Sequence, residues 1–296
     1  MTIAEFFTRA IRFVFRKLRV AALSVYWINR CHARRCRPET IAEENRILAC
    51  LRGRSGIEIG GPSDLFRFGV PVYGVVRSLD NLDFALRTTW SGNRREHAPF
   101  RFHWQKRPGR QHIADATDLS LLRDGTYDFV LSCHNLEHIA NPLKALREFV
   151  RVIKPGGYIL LVLPNKESMF DHRRDYTTFE HVLADEANHV GEDSLLHLAE
   201  VLEKHDLARD PCSGTPEQFR ARLATTAQTR LLHHHVFNGR LLRELAAHLG
   251  LCVDFVGLIG NDNLVAFLHK VAPDCGGAEA GASQPDNGRY SIARCL

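Results

Sequence analysis

Several features that mark common protein classes are missing from this chain of 296 residues. Its eight cysteines form no CxxC pair, and only Cys31 and Cys36 lie close together, so we expect a reduced, cytoplasmic setting rather than a disulfide framework. The apolar run at 20–28 is too short to span a bilayer and has no small-residue cleavage site, which argues against a secretory signal. No internal repeat is found, and a hydrophobic content of 45% predicts a packed core rather than global disorder.

Positive charge is concentrated near the start of the sequence. The net charge is +5, but residues 1–37 hold nine arginines and lysines against Glu5 alone, and the remainder is acidic overall. Bulky apolar residues alternate with these bases, so the segment is predicted to be a basic amphipathic helical arm. Two interpretations stay open: the arm packs its apolar face on the domain, or it makes peripheral contact with an anionic membrane surface.

Apolar runs and helical periodicity alternate through the middle of the chain. Strands are predicted at 55–60, 71–79, 112–115, 129–133 and 158–163, and helices at 41–52, 142–153 and 239–249. A turn at 260–263 separates two further strands, 252–258 and 264–269, which should pair antiparallel. The pattern predicts an α/β fold with a doubly wound, mostly parallel sheet.

A long insertion at about 164–238 separates the fifth strand from the final helix. It holds predicted helices at 194–204 and 216–224, and it should rise above the carboxyl ends of the strands, where ligands bind in such sheets. The predicted domain therefore runs from 38 to 272, between the arm and a disordered tail at 273–296 that is rich in glycine, alanine, serine and proline.

The first predicted strand ends in an acid and a glycine turn. Residues 56–61 read Gly-Ile-Glu-Ile-Gly-Gly, and Asp80 follows 22 positions after Glu58, at the predicted tip of the second strand. In nucleotide-binding α/β folds such a turn lets a cofactor approach bare backbone, and the later acid binds ribose hydroxyls. The pairing predicts a nucleotide or nucleoside site at this edge of the sheet.

Five ordered segments together resemble the class I S-adenosylmethionine-dependent methyltransferases, specifically the type 11 group. They are Glu58-Ile59-Gly60-Gly61, the ADATDL of 114–119, the YDFVLS of 127–132, the LEHI of 136–139 and the RVIKPGG of 151–157. The resemblance covers roughly 54–165 and the final strand pair. It implies a Rossmann-like sheet of seven strands with the last strand reversed.

The resemblance also implies a binding site for S-adenosyl-L-methionine. The turn residues Glu58, Gly60 and Gly61 should border its methionine part, Asp80 its ribose, and Asp115 and Ala116 its adenine. Pro62 and Asn81 are counted among the cofactor-binding residues beside them. Ser132, Cys133 and His134 should line the pocket in which the methyl group is presented.

The glycine turn departs from the pattern of that family. Its usual form is acid-x-Gly-x-Gly-x-Gly, whereas Pro62 and Asp64 stand at the second and third glycine positions here. A pyrophosphate needs several free backbone N–H groups, which proline lacks, and an aspartate would repel it. NAD, FAD and ATP are therefore disfavoured, while a phosphate-free cation tolerates both changes. The departure also keeps an alternative open: a methyltransferase-fold binding or scaffold protein that has lost catalysis.

Three histidines are the candidate catalytic bases. His134 lies nearest the tip of the fourth strand, His138 follows it, and His172 belongs to the Asp-His-Arg-Arg turn at 171–174. Histidine is the natural proton acceptor near neutral pH. Structural interpretations compete with these roles: His138 packs the following helix, and 171–174 is a salt-bridged turn rather than a site for an acidic or polyhydroxyl substrate.

Two further clusters contain residue types that bind ligands in other proteins. Adjacent side chains such as those of the His triplet at 233–235 diverge, and no cysteine or acid partner is obvious, so no metal site is predicted. Residues 87–110 combine seven bases with four aromatic residues. This composition fits substrate contact, membrane contact or packing over the sheet edge better than nucleic acid, because no RNA-binding module accompanies it.

These observations predict a cytoplasmic S-adenosylmethionine-dependent methyltransferase. The expected acceptor is a small molecule, a glycan or a lipid-linked hydroxyl, and O-methylation is the favoured reaction. A nucleic-acid partner is the least favoured.

Overall fold

The computed structural model describes residues 38–89, 92–210 and 213–272. The predicted arm at 1–37 and the predicted tail at 273–296 lie outside these ranges. Among the described residues, no helix combines the length and the apolar character needed to cross a membrane.

The strands within the described ranges are β1 (Ser55–Ile59), β2 (Ser78–Asp83), β3 (Arg87–Thr88), β4 (Gly92–Asn93), β5 (Pro99–Phe100), β6 (Gly109–Ile113), β7 (Tyr127–Cys133), β8 (Ile153–Pro164), β9 (Leu251–Ile259) and β10 (Asn263–Lys270). The α-helices there are α1 (Pro38–Leu51), α2 (Val72–Val75), α3 (Pro142–Val152), α4 (Phe179–Ala187), α5 (Leu198–Lys204), α6 (Pro216–Leu223), α7 (Thr226–Thr229) and α8 (Gly239–His248).

The main sheet of the described chain has eight strands in the order β5-β6-β2-β1-β7-β8-β10-β9. The run from β6 to β8 is parallel, and β10 lies antiparallel between β8 and β9. This is the expected doubly wound, mostly parallel sheet with a reversed last strand. The expected count was seven strands. The difference is the short edge strand β5, which pairs antiparallel with β6.

Two apolar layers cover the faces of the sheet. Successive residues of β8 point to opposite layers: Ile159 and Leu161 pack in one layer, and Leu160 and Val162 pack in the other. Burial on both faces explains why the central parallel strands are continuously apolar, as the sequence indicated.

Helix α3 is a well-specified amphipathic element. The Asn141 side chain caps its start by accepting a hydrogen bond from the Lys144 N–H at 3.0 Å, and Pro142 occupies the first turn. Leu143, Leu146 and Phe149 face the sheet and are buried, at roughly 1.5–3 kcal/mol each. This helix fixes the loop that precedes it, at 134–141.

The predicted second strand is wrong. The segment after Pro71 forms α2, and β2 begins only at Ser78 and ends at Asp83. Val72 and Tyr73 were interpreted as strand residues, but they are buried between the sheet and α1 with other aromatic side chains. β2 escaped detection because its buried interior holds polar residues. Helix α1 likewise begins at Pro38, before the predicted start at 41.

The insertion at 164–238 contributes α4 to α7 and a small core of its own, made by Val201, Phe219, Leu223 and Leu232. Helices α5 and α6 confirm the two predicted helices in shortened form. Helix α4 was not predicted. Residues of the insertion stand over the carboxyl ends of the strands, where the cavity described next is found.

Candidate active site

A cavity of about 500 Å³ lies at the carboxyl ends of the parallel strands. The sheet side is lined by residues that follow or end strands: Gly60, Pro62, Asp83, Ala116, Cys133, His134, Pro164 and Asn263. The opposite wall is made by the loop after β7 and the insertion: Glu137, His138, Phe170, Asp210, Arg222, Arg230, Leu231 and His233. Its volume lies in the range of small-molecule sites.

The backbone N–H groups of the turn after β1 are already in use. The Gly60 N–H donates to the Leu82 carbonyl at 2.8 Å, and the Gly61 N–H donates to Asn81 Oδ1 at 2.8 Å. Pro62 has no N–H, and the Ser63 N–H donates to Glu58 Oε1 at 3.1 Å. The turn therefore presents backbone but no cradle of donors, which a pyrophosphate would require.

Glu58 supports this turn from inside the protein. Its side chain is fully buried and accepts hydrogen bonds from the Ser63 hydroxyl at 2.6 Å and the Tyr73 hydroxyl at 2.5 Å. Burial raises the pKa of Glu58 to about 7, although the bonds from Ser63 and Tyr73 partly offset it. Glu58 does not line the cavity, so the structure places it behind the predicted cofactor site.

Close packing explains the two glycines of the turn. Gly60 has a left-handed φ of 77°, and a Cβ there would lie 2.8 Å from Asn135 Nδ2. A Cβ on Gly61 would overlap the Glu58 carboxyl group. Gly60 lines the cavity and Gly61 lies just behind it, so the backbone at Gly60 is open to close approach.

The acid at the carboxyl end of β2 is Asp83, not Asp80. Asp83 lines the cavity, and its Oδ2 accepts from Asn81 Nδ2 at 3.1 Å, Arg94 Nε at 3.0 Å and Gln111 Nε2 at 3.2 Å. Asn81 is fully buried beneath it. These donors hold a carboxylate at the position that the glycine-turn argument gives to the ribose acid.

Asp80 lies in the middle of β2, opposite Ile57 of β1. Its carboxylate accepts from the Arg110 N–H at 2.7 Å and the Tyr127 hydroxyl at 2.8 Å. Burial alone would raise the pKa of Asp80, but hydrogen bonds from His112, Arg110 and Tyr127 lower it overall. The sequence expectation that Asp80 marks the strand tip is wrong, because it followed the misplaced second strand.

Asp115 and Ala116 follow β6 but make different contacts. Ala116 lines the cavity. Asp115 accepts from the Thr117 N–H at 2.8 Å and forms an ion pair with Arg230 of the insertion. Burial opposes ionisation, but the bonds from Arg230 and Thr117 lower the pKa of Asp115, so this carboxylate ties the insertion to the sheet.

His134 projects from the tip of β7 with a left-handed φ of 48°, a conformation found in excess at functional sites. Its Nε2 lies 3.0 Å from Asn263 Oδ1, and the Asn263 amide is oriented by donating to the Ile259 carbonyl at 3.2 Å. Nε2 therefore carries the proton and Nδ1 is the basic nitrogen. Burial lowers the pKa of His134 despite the bond to Asn263, so the ring is neutral at pH 7.

The two residues before His134 have smaller roles at the cavity than His134 itself. Ser132 is buried within β7 and does not line the cavity, whereas Cys133 does. Burial raises the pKa of the Cys133 thiol, and the nearby Glu58 and Glu137 carboxyls raise it further. Cys133 is therefore a neutral wall residue rather than a nucleophile.

Glu137 is a buried acid aimed at the cavity. Its side chain is 2% exposed, and neither carboxyl oxygen has a hydrogen-bond partner among the described residues. Burial raises the pKa of Glu137 to about 7, against the lowering effect of His233. Such a group is costly for folding unless a ligand or a proton satisfies it.

His138 is a neutral base beside Glu137. Its Nδ1 lies 3.2 Å from the Leu232 carbonyl oxygen, which only accepts hydrogen bonds, so Nδ1 carries the proton and Nε2 the lone pair. Nε2 lies 4.0 Å from Glu137 Oε1. Burial, reinforced by the nearby His233, holds the pKa of His138 well below its usual value.

His233 faces the same cavity and was not among the predicted site residues. Its Nδ1 lies 2.5 Å from Asp171 Oδ2. Burial would lower the pKa of His233, but Asp171 raises it overall. Burial likewise opposes ionisation of Asp171, yet His233 and Arg174 lower the pKa of Asp171 to about 2. Both residues of the pair are buried, and His233 lines the cavity.

The structure separates His172, the third predicted base, from the cavity. His172 Nε2 lies 2.9 Å from Asp206 Oδ2 and does not line the cavity. The triplet at 233–235 diverges as expected. His234 faces His197, with the two Nδ1 atoms 3.4 Å apart, and His235 Nε2 faces the Ala140 carbonyl at 3.1 Å.

The Asp-His-Arg-Arg turn is structural at its last residue. Arg174 is 2% exposed, and its guanidinium donates to Asp171 at 3.3 Å and to the His233 and His234 carbonyls at 2.8 and 3.2 Å. It therefore positions the cavity wall and is not available to an acidic substrate.

Some residues of the basic and aromatic stretch at 87–110 pack in the core, and Arg94 lies at the cavity floor. Phe100 and Phe102 are buried in the core, which supports the packing interpretation for them, while Trp104 is 85% exposed. Arg94 joins the cavity floor by bonding Asp83 and the Gly61 carbonyl at 3.0 Å each. Trp90 lies outside the described residues.

The cavity fits a phosphate-free, cationic nucleoside. Asp83 offers a carboxylate for a diol, Gly60 and Ala116 leave room for close approach, and the Glu137 carboxyl faces the interior without a partner. The arginines of the wall are already paired: Arg222 lies 2.9 Å from Asp210, and Arg230 contacts Asp115. Pairing of these arginines with acids disfavours a phosphate at this wall.

Comparisons with known proteins are consistent with this geometry. Residues 71–161 match the family model described as a methyltransferase domain. No curated protein matches the chain.

Solved structures with a similar arrangement include an S-adenosylmethionine-dependent methyltransferase from Mesorhizobium loti, with 14% identity, a TM-score of 0.46, and coverage of 77% of this chain and 96% of that one. A second, from Methanosarcina mazei, has 19% identity, a TM-score of 0.43, and coverage of 77% and 97%. A third, from Aquifex aeolicus, has 14% identity, a TM-score of 0.42, and coverage of 79% and 89%.

The family match begins before β2 and ends within β8. It therefore spans the strands that carry Asp83, Ala116 and His134, and with them most of the floor of the cavity. The chain therefore contains a methyltransferase domain at residues 71–161, on an α/β sheet of doubly wound, Rossmann-like topology.

Proposed function

We propose that the protein transfers the methyl group to a hydroxyl oxygen of a small molecule, a glycan or a lipid-linked acceptor. The observation that carries this proposal is the cluster of proton-accepting groups beside the tip of β7: His134, Glu137 and His138 all line one cavity. A hydroxyl must lose its proton as the new bond forms, whereas a neutral amine attacks with its lone pair and loses its proton afterwards.

The cofactor-binding roles are assigned by position in the cavity. Asp83 receives the ribose hydroxyls, Ala116 borders the adenine, and the Gly60 backbone borders the methionine part. Glu58 and Asn81 support the turn instead of contacting the ligand, because their side chains bond Ser63, Tyr73 and Gly61. S-adenosylmethionine supplies, when bound, a methyl group activated by its attachment to a sulfonium.

Two neutral histidines are available to take the acceptor proton. His134 is ranked first, because it lies at the strand tip with Nδ1 as its basic atom and is fixed by Asn263. His138 Nε2 is the second proton acceptor, and Glu137 is the third. Burial lowers the pKa of both histidines, so each presents a neutral ring to the acceptor hydroxyl.

An uncharged hydroxyl compound fits the wall better than a multiply charged anion. Arg222 and Arg230 of the insertion face the cavity but are neutralised by Asp210, Asp115 and Glu192. Arg174 is committed to backbone carbonyls. Recognition therefore depends on hydrogen bonds and on apolar side chains such as Phe170 and Leu231.

The test is transfer of a labelled methyl group. The full-length protein is incubated with S-adenosylmethionine carrying a trideuterated methyl group and with metabolite, glycan and lipid fractions, and new products are found by mass spectrometry. We expect a product whose label is on oxygen and whose formation falls at least tenfold in His134→Ala. A product labelled on nitrogen or carbon would overturn the hydroxyl proposal. Failure of the protein to bind S-adenosylhomocysteine would instead favour the alternative, a scaffold protein that has lost catalysis.

A further inference from the structure

A second cluster of ligating side chains lies outside the methyl-transfer cavity. One ring nitrogen from each of His181, His197 and His235 and one carboxylate oxygen of Asp185 lie within 4.8 Å of one another. None of the four lines the cavity. Three of them, Asp185, His197 and His235, are buried, and His181 opens the cluster to solvent.

The separations within the cluster match the edges of a coordination tetrahedron. His181 Nε2 lies 2.9 Å from His197 Nε2 and 3.3 Å from Asp185 Oδ2, and His235 Nε2 lies 3.7 Å from the same oxygen. Zinc binds imidazole nitrogen at about 2.0–2.1 Å, so ligand atoms on a tetrahedron around it are about 3.4 Å apart. The three measured separations lie within about 0.5 Å of that value.

The polar atoms of the cluster are poorly satisfied by the protein itself. Asp185 is 3% exposed, and its Oδ2 has no hydrogen-bond partner among the described residues. His181 and His197 place two ring nitrogens against each other, where one proton at most is shared. A buried carboxylate oxygen and converging lone pairs are costly without a cation.

Three separate segments contribute the ligands. His181 and Asp185 are four residues apart on one face of α4, and His197 immediately precedes α5. His235 belongs to the extended segment that leads into α8. The scaffold is fixed around them: the Asp185 carbonyl accepts from Asn141 Nδ2 at 3.4 Å, and His197 Nδ1 meets His234 Nδ1 at 3.4 Å.

We propose that His181, Asp185, His197 and His235 form a zinc site that holds three segments of the insertion together. Three imidazoles and one carboxylate are a ligand set that zinc accepts and that magnesium and calcium, which prefer oxygen, do not. Four protein ligands close the coordination sphere, so the site is structural. The sequence argument against a metal missed it because the partners of His235 come from α4 and from the residue before α5, not from its neighbours.

The site lies next to the wall of the active-site cavity. His235 follows His233 and His234, and the backbone N–H of His234 donates to the Glu137 carbonyl at 2.8 Å. A metal held by His235 therefore fixes the segment that presents His233 to the cavity. Zinc at His235 Nε2 would replace the hydrogen bond from this nitrogen to the Ala140 carbonyl at 3.1 Å, and the single ring proton would then lie on Nδ1.

The experiment measures zinc directly and does not depend on methyl transfer. Full-length protein is stripped with a chelator, supplied with Zn²⁺, freed of excess metal by gel filtration and analysed for its metal content. We expect one zinc ion per chain in the unmodified protein and in His189→Asn. His189 is exposed, lies just beyond α4 and has a left-handed φ of 51° that asparagine tolerates. We expect at least a tenfold loss of affinity in His197→Asn and in Asp185→Asn.

Two outcomes would overturn the proposal. One is that the unmodified protein retains no more zinc than His197→Asn. The other is that zinc survives in His197→Asn but is lost in Glu137→Gln, which would move the metal to the Glu137, His138 and His233 group. If the variants fold poorly, Co²⁺ titration of the unmodified protein decides: visible absorption of tetrahedral cobalt supports the site, and its absence contradicts it.

Discussion

Asp80 and Asp83 stand three positions apart on β2, yet they accept hydrogen bonds from different groups. Asp80 is held by Arg110 and Tyr127 within the sheet, and Asp83 by Asn81, Arg94 and Gln111 at the cavity floor. The first arrangement stabilises strand pairing, and the second presents a carboxylate to a ligand. Substituting the two acids separates these tasks.

Asp83→Asn should weaken binding of S-adenosylhomocysteine by about 1–3 kcal/mol, because a charge-assisted hydrogen bond to the ribose is lost. Asp80→Asn is the matched control: it should leave this affinity within twofold and lower the unfolding temperature. Calorimetric titration gives the affinities, and thermal unfolding gives the stabilities. Equal weakening by both substitutions would contradict the assignment of Asp83.

Glu137 should make cofactor choice depend on pH. Its pKa of about 7 means that the carboxyl is neutral below that pH and ionised above it. Ionisation favours the sulfonium of S-adenosylmethionine over the neutral thioether of S-adenosylhomocysteine by roughly 1–2 kcal/mol. The ratio of the two affinities, measured at pH 6 and pH 8, should rise with pH in the unmodified protein and stay flat in Glu137→Gln. A flat ratio in both proteins would refute this role.

The Asp171–His233 pair should contribute to folding stability over a defined pH window. The pKa of Asp171 is lowered from 3.8 to about 2, so its contribution is present above pH 3.8 and is lost as the pH falls towards 2. The pKa of His233 is raised above 6.5, so its contribution is present below pH 6.5 and is lost as the pH rises through the folded value.

Asp171→Asn should therefore lower the free energy of unfolding most between about pH 4 and pH 6.5. The expected loss is about 2 kcal/mol, because each unit of pKa shift corresponds to about 1.36 kcal/mol. Urea unfolding of both proteins across this range measures the difference. Asp206→Asn, which removes the carboxylate beside partly exposed His172, is the control and should show a smaller effect, because solvent screens that pair. A pH-independent difference for Asp171→Asn would mean that packing, and not the ion pair, is lost.

At the scale of elements, the turn after β1 depends on the absence of side chains. Gly61→Ala should destabilise the protein by roughly 1–3 kcal/mol, the usual cost of overpacking, because its Cβ would overlap the Glu58 carboxyl group. Displacing the turn should also weaken S-adenosylhomocysteine binding. Gly74→Ala in α2 is the control, since a Cβ there meets nothing within 4 Å. Urea unfolding and calorimetry measure both effects, and equal behaviour of the two variants would be the contrary result.

Elements with strong local signals could be predicted from the sequence. The apolar β7 and β8, the capped helix α3 and the β9–β10 hairpin all agree with expectation. β2 did not, because its register is fixed by pairing with β1 and β6, and its buried polar residues hide the strand pattern. Because the end of the second strand was predicted too early, Asp80 was assigned as the acid that binds the ribose.

The site could be predicted only where it follows a strand tip. Gly60, Ala116 and His134 are such positions, and they do line the cavity. His233 could not be found in this way, because its partner Asp171 is 62 residues distant along the chain. The partners of His235 are also distant from it along the chain. The sequence argument considered only the neighbouring histidines, whose side chains diverge, and so it missed this cluster.

At the scale of the whole molecule, charge separates the first 37 residues from the domain. We propose that this segment, which lies outside the described residues, brings the enzyme to anionic membrane surfaces. Deleting residues 1–37 should abolish binding to phosphatidylserine-containing vesicles, since each base near such a surface contributes about 1 kcal/mol. Binding by the full chain should fall as salt rises, measured by vesicle sedimentation. Unchanged partitioning of the deletion variant would exclude this role, and its S-adenosylhomocysteine affinity serves as the folding control.

The reversed strand β10 places Asn263 against His134, so the floor of the cavity is completed by a residue 129 positions later in the chain. A ribosome that has released β1 to β8 has therefore exposed a sheet whose ligand pocket still lacks one wall. The cavity is therefore complete only after β10 has been synthesised and has paired with β8.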